Sequence, residues 1–248
     1  MGAMAEEIDE VKTLMKGTTV REIGGRTFCC GDINGMDCVV VFSKWGKVAA
    51  SITATILLQE FAVTQLVFIG TAGALADNLK VGDIVVAKRL VQHDLDARPI
   101  IKRFELPLLN RIYVDTDANL TAIALQSIAS LLDKGVNMVI GDKNASDFGI
   151  TKPALVSGDI ASGDQFVNDE VKRQSIINEL PDIQCVEMEG AAVAQACFEF
   201  KIPFSVIRII SDTADHNARV DFGKFVIEVA NAYSKAIINV MTQRLAAI

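Results

Sequence analysis

Phe204-Ser-Val-Ile-Arg-Ile-Ile210, running into Ser211-Asp-Thr-Ala-Asp215, is the stretch from which the rest of the chain is read. It is short, apolar and β-branched, the pattern of a strand buried on both faces rather than of a helix. Working outward from it, Met188 to Phe200 has a helical pattern, Asn168 is placed to cap a helix running to about Leu180, and Ala154 to Ala161 reads as another strand. On the other side, Asp221 stands before a long helix whose stripe is Phe222, Phe225, Val226, Val229, Tyr233, Ile237, Val240 and Met241. Further out, Ala118 to Asp133 is helical, while Asp83-Ile-Val-Val-Ala87 and Gln65-Leu-Val-Phe-Ile69 are short apolar strands. Lys47 to Phe61 is expected as a helix with Val48, Ile52, Ile56 and Leu57 on one face. Thr18 to Ser43 reads as β structure, with Gly24-Gly25 and Asn34-Gly35 as its hairpin turns. Strands alternating with helices imply an α/β fold, a mixed or parallel sheet wrapped by helices on both sides. With no repeat and no linker-like tract, one domain over residues 1–248 is expected. Ligands in such folds sit beyond the carboxyl ends of the strands.

Composition narrows the function. The 248 residues are 50% hydrophobic and 22% charged, ordinary for a globular protein. Against 24 basic residues stand 31 acidic ones, a net charge of −7, which repels a polyphosphate backbone and disfavours nucleic acid as a partner. Lys102 and Arg103 are the only notable basic cluster near the middle of the chain. No apolar run approaches the ~18 residues that span a bilayer, and Met1 to Glu10 lacks the pattern of a secretory signal, so no membrane partner and a cytoplasmic location are expected. Five cysteines, Cys29, Cys30, Cys38, Cys185 and Cys197, contain no C-x-x-C pair; they read as small core residues rather than as a disulfide framework or zinc site.

The chemistry is sought after the strands. Gly70-Thr71-Ala72-Gly73 follows one of them, and its glycines allow a tight turn that presents backbone N–H groups; the spacing is neither a dinucleotide fingerprint nor a P-loop. In Ser162-Gly-Asp-Gln-Phe166-Val167 an aromatic follows a polar turn, where Phe166 can stack on a flat base or simply pack in the core. Glu187-Met188-Glu189 is read as opening a helix of small residues. Residues two apart on a helix point about 200° apart, so one glutamate serves the fold while the other faces the strand ends. With Asp221 already placed as a helix cap, Asp212 and Asp215 are surplus to capping and become candidates for chemistry. His216 and the His93-Asp94 pair are the only histidine positions, too thin a supply for a metal site; neither metal nor cofactor is expected. Glu6 and Glu7, by themselves, read as solvated surface.

Taken in order, Gly46-Lys-Val48, Gly70-Thr-Ala-Gly73, Ser162-Gly-Asp-Gln-Phe166, Val186-Glu-Met-Glu-Gly190 and Ser211-Asp-Thr-Ala-Asp215 resemble the motifs of the 5′-methylthioadenosine/S-adenosylhomocysteine nucleosidases of the purine nucleoside phosphorylase superfamily. The resemblance runs from Gly2-Ala-Met-Ala-Glu-Glu-Ile8 to the final helix. It implies a phosphorylase/hydrolase-like mixed central sheet and hydrolysis of an adenine nucleoside at its N-glycosidic bond, in methionine salvage. Methylthioadenosine and S-adenosylhomocysteine are the implied substrates, with 5′-deoxyadenosine or aminodeoxyfutalosine as further possibilities. By the same resemblance Asp212 protonates N7 of adenine, Glu7 positions the attacking water, Glu189 grips the ribose and Arg208 holds the water and the acidic cluster. Phe166 would stack on adenine and the Val167 backbone would bond its edge. Thr71, Gly73 and Ser211 complete the base side, Met188 lies beneath the ribose, and Phe222 covers the 5′ end. Trp45 stands near the 5′ subsite, where the family usually has a smaller aliphatic residue. A homodimer is implied, with Phe104 and Pro107, in the variable Asp94–Tyr113 segment, near the neighbouring site.

Two rivals follow from the same residues. A nucleoside phosphorylase needs arginines around an anion in the early loop, where this chain has Glu6 and Glu7, so hydrolysis is preferred. A non-catalytic nucleoside-binding protein on the same scaffold is the other, since a fold guarantees no activity.

Overall fold

The structure is a computed structural model that describes residues 1–214 and 222–247. The chain opens with a short helix α1 (Glu6–Lys12), then the meander β1 (Lys16–Ile23), β2 (Arg26–Ile33) and β3 (Met36–Val41), and helix α2 (Lys47–Glu60). Next come β4 (Leu66–Ala74), β5 (Ile84–Gln92), the two-residue β6 (Val114–Asp115), α3 (Ala118–Leu132) and the short α4 (Asn137–Ile140) and α5 (Asp142–Asp147). Then follow β7 (Leu155–Ser162), α6 (Glu170–Glu179), β8 (Ile183–Glu187), α7 (Gly190–Phe200) and β9 (Phe204–Asp212). Helix α8 (Phe222–Phe225) passes through a π-helical turn, Val226–Ala230, into α9 (Asn231–Leu245).

The main sheet has the order β6-β5-β7-β8-β4-β9 and is mixed, with β5, β7 and β8 parallel, β4 parallel to β9, and β4 antiparallel to β8. Ile84, Val85 and Val86 of β5 also pair antiparallel with Ile209, Arg208 and Ile207 of β9, so five of its strands close on themselves. The alternation of strand side chains sorts the core into two layers. Phe68, Val85, Ala87, Val206 and Ile210 pack with α2 and α7, while Ile69, Ile84, Val86, Ile207 and Ile209 pack with α3 and α9. Runs of Val and Ile buried on both faces are what such a position requires.

Several local expectations are corrected. Helix α2 forms where expected, but it buries Ala50, Thr53, Ala54, Leu57 and Leu58, leaving Val48 72% and Ile52 45% exposed. Close packing against α7, itself rich in alanine, selects the small face. Gly70 to Gly73 is not a turn but the second half of β4. Helix α6 is capped by Asp169, whose side chain accepts from the Lys172 N–H, rather than by Asn168. Ile183 to Glu187 is strand β8, so the helix begins at Gly190 and not at Met188. Glu6 and Glu7 belong to α1, which buries Glu7, Ile8 and Val11. Of the cysteines only Cys185 and Cys197 are buried, and all five are free thiols. The expected cap at Asp221 and the candidate residues Asp215 and His216 lie outside the described residues.

Candidate active site

The ends of β4, β7, β8 and β9 converge with α1 around a cavity of about 340 Å³. That is within the ~300–1,000 Å³ typical of small-molecule sites. Its polar wall is made by the carboxyl-bearing residues Glu7, Glu187, Glu189 and Asp212, with Thr71 and Ser211 beside them. Among the described residues that line it there is no lysine, arginine or histidine.

Helix α1 delivers Glu7. Ile8 and Val11 bury into a cluster with Met15, Ile33 and Val40, and the Glu10 N–H binds the Asn231 side chain on α9, so the helix is pinned on both sides. The Glu7 carboxylate is fully buried; Oε1 accepts from the N–H and the hydroxyl of Thr71, both at 3.0 Å, and Oε2 accepts from the Met4 N–H at 2.9 Å. Burial raises its pKa above the ordinary carboxylate value, opposed by the Arg208 charge and by these three donors. A Cβ on Gly70 would stand 3.0 Å from Oε2 and 3.2 Å from Oε1, so β4 must carry a glycine where it passes this carboxylate.

Gly73 plays the same part for Asp212, since a Cβ there would lie 2.9 Å from Oδ1. Asp212 ends β9, and its Oδ2 accepts from the Ser211 hydroxyl at 2.7 Å. Its Oδ1 accepts from the Ala214 N–H at 2.8 Å, a residue turned into the left-handed region at φ 53° to bring that N–H back. The glycines of Gly70-Thr-Ala-Gly73 thus serve close approach of two carboxylates rather than a turn.

Glu189 stands at the entrance to α7 with φ −137° and ψ −38°, and its side chain does not cap the helix. It reaches across instead, Oε1 accepting from the Gly46 N–H at 2.8 Å. Burial, reinforced by the neighbouring Glu187 charge, lifts its pKa to about 8. Glu187 takes the capping role: its oxygens accept from the Gly190 N–H at 2.9 and 2.8 Å and from the Glu189 N–H at 3.1 Å. The expected division of labour between the two glutamates is therefore present, although it arises from a strand end and a turn instead of from opposite helix faces. Arg208 is wholly buried behind the cavity and does not line it. Its Nη2 donates to Glu187 at 2.7 Å, Nη1 to the Ile207 carbonyl at 3.0 Å, and its guanidinium lies 4.2 Å from the centre of the Phe68 ring.

Aromatic and apolar side chains make the opposite wall. Phe166 and Phe222 meet edge to face with centroids 6.0 Å apart, and Val167, Met188 and Met4 lie beside them. Trp45, 66% exposed, stands at the rim between Lys44 and Gly46, both at positive φ. Every expected substrate-side residue, Thr71, Gly73, Phe166, Val167, Met188, Ser211, Phe222 and Trp45, borders this one cavity. The sequence leaves open which of Glu187 and Glu189 serves the fold, and the resemblance gives a role to Glu189 alone; the hydrogen bonds give the fold's part to Glu187. Phe104 is buried in its own chain, in the cluster that holds Leu75 and Val167, so of the pair assigned to a partner's site only the exposed Pro107 offers a surface.

Comparison with known proteins agrees with this architecture. The model of the phosphorylase superfamily matches residues 1–245. The 5′-methylthioadenosine/S-adenosylhomocysteine nucleosidase of Shewanella denitrificans is 32% identical over 243 residues, 98% of this chain and 97% of that protein. Among solved structures, S-adenosylhomocysteine nucleosidase from Streptococcus pyogenes, in complex with 5-methylthiotubericidin, superposes with a TM-score of 0.84 at 31% identity, covering 98% of this chain and 94% of that one. The futalosine hydrolase of Helicobacter pylori superposes with a TM-score of 0.82 at 32% identity, covering 98% and 95%. The chain belongs to the phosphorylase superfamily and, within it, to the family of the 5′-methylthioadenosine/S-adenosylhomocysteine nucleosidases.

Proposed function

We propose that the protein hydrolyses the N-glycosidic bond of 5′-methylthioadenosine and S-adenosylhomocysteine, releasing adenine. One observation carries the reading: Glu7, Glu189 and Asp212 border a single nucleoside-sized cavity whose described lining holds no cation and whose opposite wall is aromatic. Cleavage of a ribosyl–adenine bond leaves positive charge on the sugar and electron density on the base. A wall of carboxylates favours the first, and a positioned acid relieves the second. Adenine lies against Phe166, with the Val167 backbone at its edge, and Asp212 delivers the proton to N7. Glu7, oriented by Thr71 and Met4, steers water to the anomeric carbon. Glu189 grips the ribose hydroxyls above Met188, and Phe222 closes the 5′ end. Arg208 acts from behind the wall, tempering the acidic cluster. A described lining that holds no cation is a poor seat for phosphate, and this favours hydrolysis over phosphorolysis.

Purified protein should release adenine from methylthioadenosine in phosphate-free buffer, with free methylthioribose as product. An absolute phosphate requirement with a sugar 1-phosphate product would overturn it. Asp212→Asn should keep nucleoside binding and lose at least ~10² in turnover. Undiminished turnover in that variant would remove Asp212 from the role of acid.

The working unit in this reading is a cytoplasmic homodimer. Trp45 at the rim of the cavity and Val48 and Ile52 on the following helix α2 are exposed by 66%, 72% and 45%, large apolar side chains of the kind that partners cover. Sedimentation of the enzyme as a monomer at assay concentrations would remove the dimer.

A further inference from the structure

The site contains one carboxylate too many for the proposed reaction. Acid, base and sugar ligand account for Asp212, Glu7 and Glu189, while Glu187, which also borders the cavity, is 7% exposed and has both carboxylate oxygens bonded within the protein. Its Oε2 accepts from Arg208 Nη2 at 2.7 Å, from the Gly190 N–H at 2.8 Å and from the Glu189 N–H at 3.1 Å. Its Oε1 accepts from the Gly190 N–H at 2.9 Å and makes a short contact with the Ser162 hydroxyl. That hydroxyl in turn accepts from the Ala191 N–H at 2.7 Å, and the Glu187 carbonyl accepts from the Gly163 N–H at 3.1 Å.

We propose that Glu187 is a positioning residue of this reaction: one buried carboxylate locks together the Arg208 guanidinium, the turn that presents Glu189, and the Ser162 end of the loop that carries Phe166. Three consequences of the geometry support it. First, α7 begins with unpaired N–H groups that its own N-cap residue, Glu189, leaves unsatisfied; Glu187 and Ser162 take them, so the Glu189 carboxylate stays free for the cavity and Gly46. Second, Arg208 is a wholly buried cation, and Glu187 is the acid it pairs with, which fixes the direction in which its charge is felt by Glu7 and Glu189. Third, β7, β8, α7 and β9 are tied at one point, so a displacement of Glu187 moves the sugar side and the base side of the cavity together.

The inference rests on the functional reading above, and its test separates the two. Glu187→Gln keeps the shape and one acceptor for the helix end but removes the charge. The turnover number should fall about 10²-fold, with KM changed far less, because misplacement of reacting groups by about 1 Å costs that much. The groups facing Glu189 are Glu187 from β8, Arg208 from β9, Glu7 from α1 and the Gly46 N–H before α2. Losing the Glu187 charge leaves Arg208 to act on Glu189 unopposed, so Glu189 should titrate at lower pH by about 1 unit or more. Carboxyl ¹³C NMR of the ligand-free protein reads that midpoint without any turnover. If the wild type releases no adenine, the functional reading falls and the NMR midpoint still decides this one. Glu187→Asp, which restores the charge, should bring the midpoint back. A Glu187→Gln protein that loses only thermal stability, with turnover number and midpoint unchanged, would overturn the proposal. Should that variant not fold, Ser162→Ala removes one of the two donors on Oε1 while leaving the Arg208 pair in place. A lowered turnover number with KM retained supports the role, and wild-type kinetics in Ser162→Ala refute it.

Discussion

Gly70 lies so close to Glu7 that a methyl group on it would stand 3.0 Å from one carboxylate oxygen and 3.2 Å from the other. Neither partner can yield easily, since Gly70 is in the middle of β4, paired with Arg208 on β9, and the carboxylate is held by Thr71 and Met4. Gly70→Ala should therefore shift the Glu7 carboxylate against its donors by a few tenths of an ångström and lower kcat/KM, by less than the about 10²-fold that a misplacement of about 1 Å costs. Crystallography or kinetics on the variant checks it; wild-type kcat/KM would show that Glu7 tolerates displacement and has no precise task.

The Glu7–Thr71 pair predicts a pH effect with a definite sign. Burial raises the Glu7 pKa, while the Thr71 hydroxyl and N–H pull it down. A base must be ionised, so kcat/KM should rise with pH through a midpoint above the ordinary carboxylate value. Thr71→Val removes the hydroxyl and keeps the N–H. Its acidic limb should move to higher pH, with a loss larger at pH 6 than at pH 8. An unmoved limb in the kcat/KM profile would take the hydroxyl out of the account.

Much of this site is readable from residue types, and the parts that are not share a cause. Alternating strands and helices are visible because each core strand must be apolar on both faces, as Phe204 to Ile210 is. The closure of the sheet by β5 on β9 has no local signature, since it depends on pairing across more than a hundred residues. Gly70 to Gly73 looks like a turn because glycine weakens a strand, yet here the missing side chains make room for carboxylates from α1 and β9. Glu7 looks solvated for a related reason: only the docking of α1 against α9 and the β3 side of the meander buries it. The pairing of Glu187 with Arg208 is not legible because a helix at this point assigns acidic residues to its dipole, whereas the chain forms a strand that ends at Glu187 and meets Arg208 on β9.

Glu189 links activity to stability. The unfolded chain releases this proton near 4.5, whereas the folded protein holds it until about 8. The folded state thus binds the extra proton between those values, and stability from this group is lost as pH rises from about 4.5 to about 8. Glu189→Gln does not titrate there. Its melting temperature should exceed that of the wild type by little at pH 5 and by a growing margin toward pH 8, at roughly 2–4 °C for each kcal/mol in a chain of this size. Adenine release should be lost at the same time. A margin independent of pH in thermal melts would mean that Glu189 is ionised already at pH 5.

Trp45 borders the cavity and, in the proposed reading, faces the 5′ end of the nucleoside. Its neighbours fix it in place: the Gly46 N–H is held by Glu189 and the Lys47 N–H by Asp164 at 2.8 Å each. The indole itself is left 66% exposed at the rim. A flat apolar surface there contributes through contact area with whatever the 5′ carbon carries, and hardly at all to a substrate with nothing beyond that carbon. Trp45→Ala should accordingly raise KM for methylthioadenosine, S-adenosylhomocysteine and aminodeoxyfutalosine while leaving 5′-deoxyadenosine nearly unaffected, with the turnover number changed least of all. A contact between an aromatic ring and a thioether is worth about 0.3–1.5 kcal/mol, or close to tenfold in KM at the upper end. Steady-state kinetics across the four nucleosides decide it. Equal penalties for all four, including the one without a 5′ group, would place the indole outside the 5′ subsite and leave it only the proposed dimer surface.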